Sequence, residues 1–196
     1  LNLILDDRRT FISPTLTVRQ QKIPSAEYRV RALRLFGGPL YLDVVSSASY
    51  LSLDRGGSAS GKYSRVDVAP SLSAPLSKIP WFSLAVNAGG HGTFYGDTVS
   101  PTTGEFTGQT LTRVLPTAGL QAVGPSFSKI FDAGDSKFKH VIEPRWQYSY
   151  LGAFDHADEI PLFDDTDTQF ATNLGRFTLV NRFLMRPKDR NPPVAS

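Results

Sequence analysis

The chain contains no cysteine. A disulfide-stapled secreted scaffold, a zinc ribbon and a thiol-dependent enzyme are therefore excluded together. It has a single methionine, and no window of about twenty apolar residues occurs anywhere, so no membrane-spanning helix can be built from it. Sustained three-four spacing of apolar positions is also missing, which removes amphipathic helices as the main building block. The three histidines, His91, His140 and His156, are too far apart for an HExxH pair or another compact metal motif. Among the glycine-rich stretches, Gly57-Ser58-Ala59-Ser60-Gly61 has alanine at the centre and so is no nucleophile elbow. Ala88-Gly89-Gly90-His91-Gly92 lacks the Gly-Lys-Ser/Thr of a phosphate loop. No cofactor and no bond chemistry are expected.

What is present is alternation. In Val66-Asp67-Val68-Ala69-Pro70-Ser71-Leu72-Ser73-Ala74-Pro75-Leu76 the even positions are apolar, and Asp67, Ser71 and Ser73 fall between them. Side chains on a strand point to opposite faces in turn, so this run makes one oily wall and one wet wall. It lasts about twice as long as the five or six residues of an ordinary globular strand. Strands of about ten residues with this pattern, separated by turn-rich stretches, are the mark of a transmembrane β-barrel.

Nine candidate strands follow from the same reading: Thr15–Arg19, Tyr28–Ala32, Leu40–Tyr50, Val66–Leu76, the run from Phe82, Thr110–Pro116, Ser126–Phe131, Phe138–Tyr150 and Phe177–Leu184. In the eighth, Ile142, Pro144, Trp146, Tyr148 and Tyr150 alternate with Val141, Glu143, Arg145, Gln147 and Ser149. The Arg55–Lys62 stretch, rich in glycine and serine, reads as a turn. Aromatic residues at strand ends (Tyr41, Tyr50, Tyr63, Trp81, Phe94, Tyr95, Tyr148, Tyr150) suit interfacial girdles. Pro70, Pro75, Pro116 and Pro144 each remove a ladder donor and are expected at bulges or near strand ends. The fold expected is all-β, an antiparallel outer-membrane β-barrel of which this chain supplies about nine strands. A porin-like solute channel and a soluble β-sandwich binding module share the alternation and remain alternatives.

The wet face then carries Arg29, Arg31, Arg65 and Arg145 beside Asp67 and Glu143. Guanidinium forks suit phosphate and carboxylate groups, so these four arginines are the candidate anion-binding residues; the competing reading pairs them with the acids of the same face. Arg113 shares its parity with Leu111 and Leu115, which argues against a wet-facing position. The net charge of +3 is mild, and no nucleic-acid partner is expected. Phe154 to Asp167 holds six acids and no Lys or Arg, which reads either as a solvated loop or as a binder of divalent cations. The start at Leu1 without a basic leader reads as that of a chain whose signal peptide has been removed or of an internal piece of a longer protein, and the stop after Arg190-Asn191-Pro192-Pro193 favours the second.

Several segments in order resemble the lipopolysaccharide-assembly protein LptD family (organic solvent tolerance proteins). Lys139-His140-Val141-Ile142-Glu143-Pro144-Arg145-Trp146-Gln147-Tyr148-Ser149-Tyr150 resembles the stretch in which "EP" opens a strand of alternating aromatics. Ile160-Pro161-Leu162-Phe163-Asp164-Asp165 is similar to the family's "IPxFD" loop, and Asn181-Arg182-Phe183 to the "NRF" beyond it. Tyr63 to Pro70 and Pro80 to Leu84 resemble its "R-x-D-x-x-P" and "P-W-x-x-L" patterns. The resemblance spans Thr10 to Leu184. It implies an outer-membrane translocon that passes lipopolysaccharide to the outer leaflet, with the bilayer and a plug lipoprotein of the LptE type as partners. It also implies that residues 1–196 are one section of the barrel wall. The family's periplasmic jellyroll, its remaining strands and its lateral opening between first and last strands would then lie outside this section; family members also carry cysteines that lock jellyroll to barrel, and this chain has none.

Overall fold

The protein is described from a computed structural model covering residues 1–13, 16–55, 60–77, 79–134 and 136–187. Thr15, most of the glycine-serine turn, and Arg190 to Pro193 lie outside the described residues. The strands are β1 (Asn2–Ser13), β2 (Leu16–Leu35), β3 (Leu40–Asp54), β4 (Gly61–Pro75), β5 (Ser83–Tyr95), β6 (Leu111–Val123), β7 (Phe127–Ala133), β8 (Ser136–Leu151) and β9 (Thr172–Pro187), with one 3₁₀ turn at Ala157–Glu159. They form a single nine-stranded antiparallel sheet in the order β1-β2-β3-β4-β5-β6-β8-β7, with β9 on the other edge of β8. The all-β antiparallel expectation holds. β1 and β9 close the described sheet at its two ends without pairing to each other.

The strand count of nine matches the expectation only because two differences cancel. Thr15–Arg19 and Tyr28–Ala32 are two halves of the single twenty-residue strand β2. Its register slips between Lys22 and Ser25, around Ile23-Pro24, so the alternation changes phase midway and reads as two strands. β1 is not legible in the sequence: Ile4 and Leu5, Asp6 and Asp7, and Arg8 and Arg9 come as like pairs, and its ladder slips between Ile4 and Asp6. A second irregularity in β2 follows Val30. Ala32 takes a positive φ of 46°, and its N–H is held by Asp43 Oδ1 at 2.9 Å.

β6 and β7 form one line along β8. β6 residues 117–123 pair with 151–145, and β7 residues 127–133 pair with 142–136. Between them Gly124 donates its N–H to Pro144 O at 2.9 Å. β6 continues into β7 along one edge of β8 and the chain reverses between the other consecutive strands, so the two longest connections, 96–110 and 152–171, share one end of the sheet. The connections 36–39 and 76–82 share the other.

The four prolines sit where the ladder needs no donor. Pro144 faces the β6/β7 break, and Pro116 lies just before the β6–β8 ladder begins, its carbonyl taking Gly152 N–H at 2.9 Å. Pro70 falls in the gap between the Val68–Gly92 and Ser71–Gly89 pairs, and Pro75 ends β4. Each missing N–H thus meets an interruption instead of a lost partner.

The faces differ as the alternation predicts, and the burial is inverted relative to a soluble protein. On β4, Tyr63, Arg65 and Asp67 are buried at 2, 2 and 7% exposure, whereas Val66, Val68 and Leu72 are 44, 41 and 40% exposed. The register carries the same parity across β3, β5 and β6, so Val44, Phe94 and Val114 share the oily face with Val66 and Leu72. Trp146, Leu179 and Phe177 continue it on β8 and β9. Not every aromatic expected in the girdles lies there. Tyr41, Tyr63 and Tyr95 share the parity of Asp43, Arg65 and Asp67 and face the polar side, while Tyr50, Phe94 and Tyr150 lie on the oily one. Among the described residues no helix is long and apolar enough to cross a membrane.

Candidate functional site

The best-built part of the polar face lies at the long-loop end, where the segment 152–171 folds back over the sheet. Its apolar contribution is Ile160, which joins Leu51, Tyr63 and Tyr95 in a buried cluster flanked by Phe106, Leu111, Phe154 and Phe163. Gly61 is required there, because a Cβ at that position would run into the Phe106 ring. The polar contribution is a clamp. Arg65 from β4 grips Asp164 through both terminal nitrogens, at 2.9 and 2.6 Å, and reaches Asp167 at 2.8 Å. Arg113 from β6 donates to Thr166 O at 2.6 Å and to Asp167 O at 3.3 Å. Tyr95 O–H donates to Asp167 Oδ1 at 3.0 Å, and Tyr63 O–H to Pro161 O at 3.2 Å.

The segment is shaped to present these groups. Asp167 turns back on its own chain and accepts the N–H groups of Phe163 and Asp164 at 2.9 and 3.2 Å, which closes a tight acidic turn. Asp164 is partly buried, which alone would raise its pKa. The Arg65 hydrogen bonds and charge, with the Thr166 N–H, outweigh that and hold it below the ordinary carboxylate range. Outside the clamp, Glu159 bonds His156 Nδ1 at 2.8 Å and holds that imidazole above its ordinary value.

Next along the polar face, His91 Nε2 meets Asp67 Oδ2 in a short hydrogen bond, and Thr93 O–H donates to the same oxygen at 2.8 Å. Arg113 also donates to Thr93 Oγ1 at 3.3 Å, so this network runs into the clamp. Ser83 and Asn87 share the parity of His91 on β5, but its partner is Asp67.

The four arginines singled out from the sequence are not gathered in one place. Arg65 is inside the clamp, with its terminal nitrogens occupied by Asp164 and Asp167. Arg29 and Arg31 are exposed on β2 and border a recess of about 330 Å³ with Glu27 and Val45; among the described residues neither makes an ion pair. Arg145 on β8 pairs with Glu143 at 2.6 Å, and Arg182 from β9 approaches the same carboxylate at 3.5 Å. Arg113 is a correction: it faces the polar side at 1% exposure together with Leu115. Leucines at i±2 pointed to an oily face, but here they flank a cation that reaches backbone carbonyls of the folded-back segment. The acidic stretch is no free cage either. Asp164 and Asp167 are bound to Arg65, and no group of three or more metal-ligating side chains occurs among the described residues.

A single antiparallel sheet of long strands, oily on its exposed face and charged on its covered one, defines the class: an all-β protein built on one two-faced sheet. The family model for LptD, "LPS transport system D", matches residues 11–182. An LPS-assembly protein LptD from Xanthomonas euvesicatoria pv. vesicatoria is 33% identical over 112 residues, covering 57% of this chain and 14% of that protein. Those of Xanthomonas axonopodis pv. citri and Xanthomonas campestris pv. campestris are 32% and 31% identical over the same length and shares. The chain belongs to the LptD family, and the matched region spans about one seventh of the length of these curated relatives.

Proposed function

We propose that this chain is a section of an outer-membrane β-barrel wall in a machine that assembles lipopolysaccharide into the outer leaflet. The observation that carries the reading is the inverted burial of β4: Leu72 and its row are open while Arg65 and Asp67 are covered. Apolar rows of this length on a water-facing surface would drive aggregation, and against acyl chains they are at their lowest free energy. The polar face, with Arg29 and Arg31 in no ion pair among the described residues and Arg145 and Arg182 sharing Glu143, gives a hydrated path on which phosphorylated sugars are attracted by cations. Acyl chains follow the oily face, so one wall serves both halves of an amphipathic lipid. No bond is made or broken in this mechanism. The bilayer is one partner and lipopolysaccharide the other, and by family membership a plug lipoprotein of the LptE type occupies the lumen.

A soluble sandwich is disfavoured by the same exposure of the oily face, since a second sheet would have to cover it. The test against a general solute channel is depletion of the full-length protein, followed by measurement of lipopolysaccharide on the cell surface. Surface lipopolysaccharide falls if the reading holds; unchanged levels contradict it.

A further inference from the structure

We propose that the oily face carries a fixed site for one anionic phospholipid, built by Lys129, His140 and Asn181 on β7, β8 and β9. The site takes the phosphodiester of a lipid such as phosphatidylglycerol, whose acyl chains then run over the apolar rows further along the wall.

These three side chains depart from the rest of their surface. Lys129 is paired with His140 across β7 and β8, and His140 with Phe183 across β8 and β9, so the three form one row. The row on one side of it is Phe127, Ile142 and Asn181, and the row on the other is Phe131, Phe138 and Met185. All nine share the parity of Trp146, Phe177 and Leu179, and therefore the oily face. A cation, an imidazole and an amide thus form a polar island in a field of aromatic and aliphatic side chains.

The island is ordered by its own contacts. The His140 ring stacks on Phe183 with centroids 4.2 Å apart and planes 5° apart. Its Nε2 meets Asn181 Oδ1 at 3.2 Å, while Asn181 Nδ2 donates to Leu179 O at 3.4 Å. One N–H of that amide is left to donate elsewhere. Lys129 Nζ lies 5.2 Å from the centroid of the Phe131 ring, two residues nearer the end of β7. The ammonium therefore reaches toward the strand ends and away from the middle of the wall.

Charge decides the ligand. The acids of these three strands, Asp132 and Glu143, share the parity of Lys137 and Arg145 and lie on the polar face. Among the described residues Lys129 makes no ion pair, so its charge has no partner on its own side of the sheet. A lysine on a lipid-facing surface is costly at the bilayer midplane and nearly free at its edge, which puts Lys129 at the depth of the headgroups. The anion available at that depth is a lipid phosphodiester, and the aromatic rings beside the ammonium lower the dielectric in which the two attract. Asn181 lies one row deeper, where the ester carbonyls of the same lipid can accept its remaining N–H. A zwitterionic headgroup brings its own ammonium to compete with Lys129 for the phosphate, whereas a glycerol headgroup does not.

The inference rests on the oily face meeting acyl chains, and the experiment separates the two. Leu179→Cys, on the same face two rows from the island, and Val68→Cys, on β4 far from it, are each labelled with bimane as the sole reactive thiol of the full-length protein. Each is placed in phosphatidylcholine vesicles that contain a minority of either phosphatidylglycerol or phosphatidylcholine brominated on its acyl chains. Quenching at Leu179 should report an enrichment of the glycerol lipid of about fivefold, the worth of one lysine near an anionic headgroup. Val68 should be quenched equally by both lipids. Lys129→Gln, folded as judged by heat-modifiable mobility, should abolish the preference at Leu179, and Lys129→Arg should keep it. Quenching at Leu179 without a preference, or a preference that survives in Lys129→Gln, would overturn the site. No quenching at either position would instead show that lipid does not meet the oily face, and would remove the reading on which the site rests.

Discussion

Arg65 shows how much one residue on the polar face carries. Its guanidinium is covered on all sides and is joined to Asp164 and to Asp167, whose own side chain is wholly buried. Removing one member of such a pair leaves the other charged and out of water, at a cost of about 3–5 kcal/mol. Arg65→Ala should therefore lower the urea midpoint of the detergent-solubilised full-length protein, whereas Arg29→Ala, at an exposed position without an ion pair, should leave it within error. Equal midpoints for the two variants would contradict the clamp. The pH dependence follows from Asp164, whose carboxyl is held below the ordinary range. A carboxylate depressed on folding contributes stability that is complete above its unfolded value, about 4, and is lost as pH falls through the lower folded value. A nitroxide at the exposed position Thr168 should be immobile at pH 6 and become mobile below pH 4. Mobility that is the same across that range would show that Asp164 does not anchor the segment.

Among the elements, β4 and β8 were legible and β1 and β2 were not, for a reason that belongs to the backbone. An uninterrupted alternation reports its faces directly, which is why Val66 to Leu76 and Ile142 to Tyr150 read correctly. A bulge shifts the phase, and the slips at Lys22/Ser25 and Ile4/Asp6 hide long strands inside irregular text. The clamp was legible only in halves. Parity places Arg65 on the polar side and composition marks the acidic stretch, but nothing local joins residues a hundred positions apart. Parity misleads at Arg113 because an apolar flank is ambiguous when the polar face has its own buried core. The β6/β7 break makes the prediction at this scale. Gly124 has φ of +96°, and a Cβ there would sit 2.5 Å from Trp81 O. Gly124→Ala should cost roughly 1–3 kcal/mol of stability from backbone strain alone, with the contact adding to it. Thermal unfolding in detergent measures this, and a loss no larger than that of Ala118→Gly on the neighbouring regular stretch would refute it.

For the whole molecule, the proposed function needs a wall whose two sides have opposite solvents. The two longest connections share one end, and the polar face there is covered by the protein's own segment 152–171. The remaining charged surface, with Arg29 and Arg31 on one flank and Arg145 and Arg182 on the other, is exposed toward the opposite end. The proposed substrate fits such a wall, because a phosphorylated glycolipid needs water for its sugars and oil for its chains. Soluble proteins bury the residues that this sheet exposes, so the medium around Leu72 decides between the two. Single nitroxides at Leu72 and Ser71, in the full-length protein reconstituted in lipid vesicles, measure it through relaxation by dissolved oxygen and by a water-soluble nickel chelate. Leu72 should be relaxed strongly by oxygen and hardly by nickel, and Ser71 the reverse. Free access of nickel to Leu72, with no contrast between the two sites, would mean that no bilayer meets the oily face.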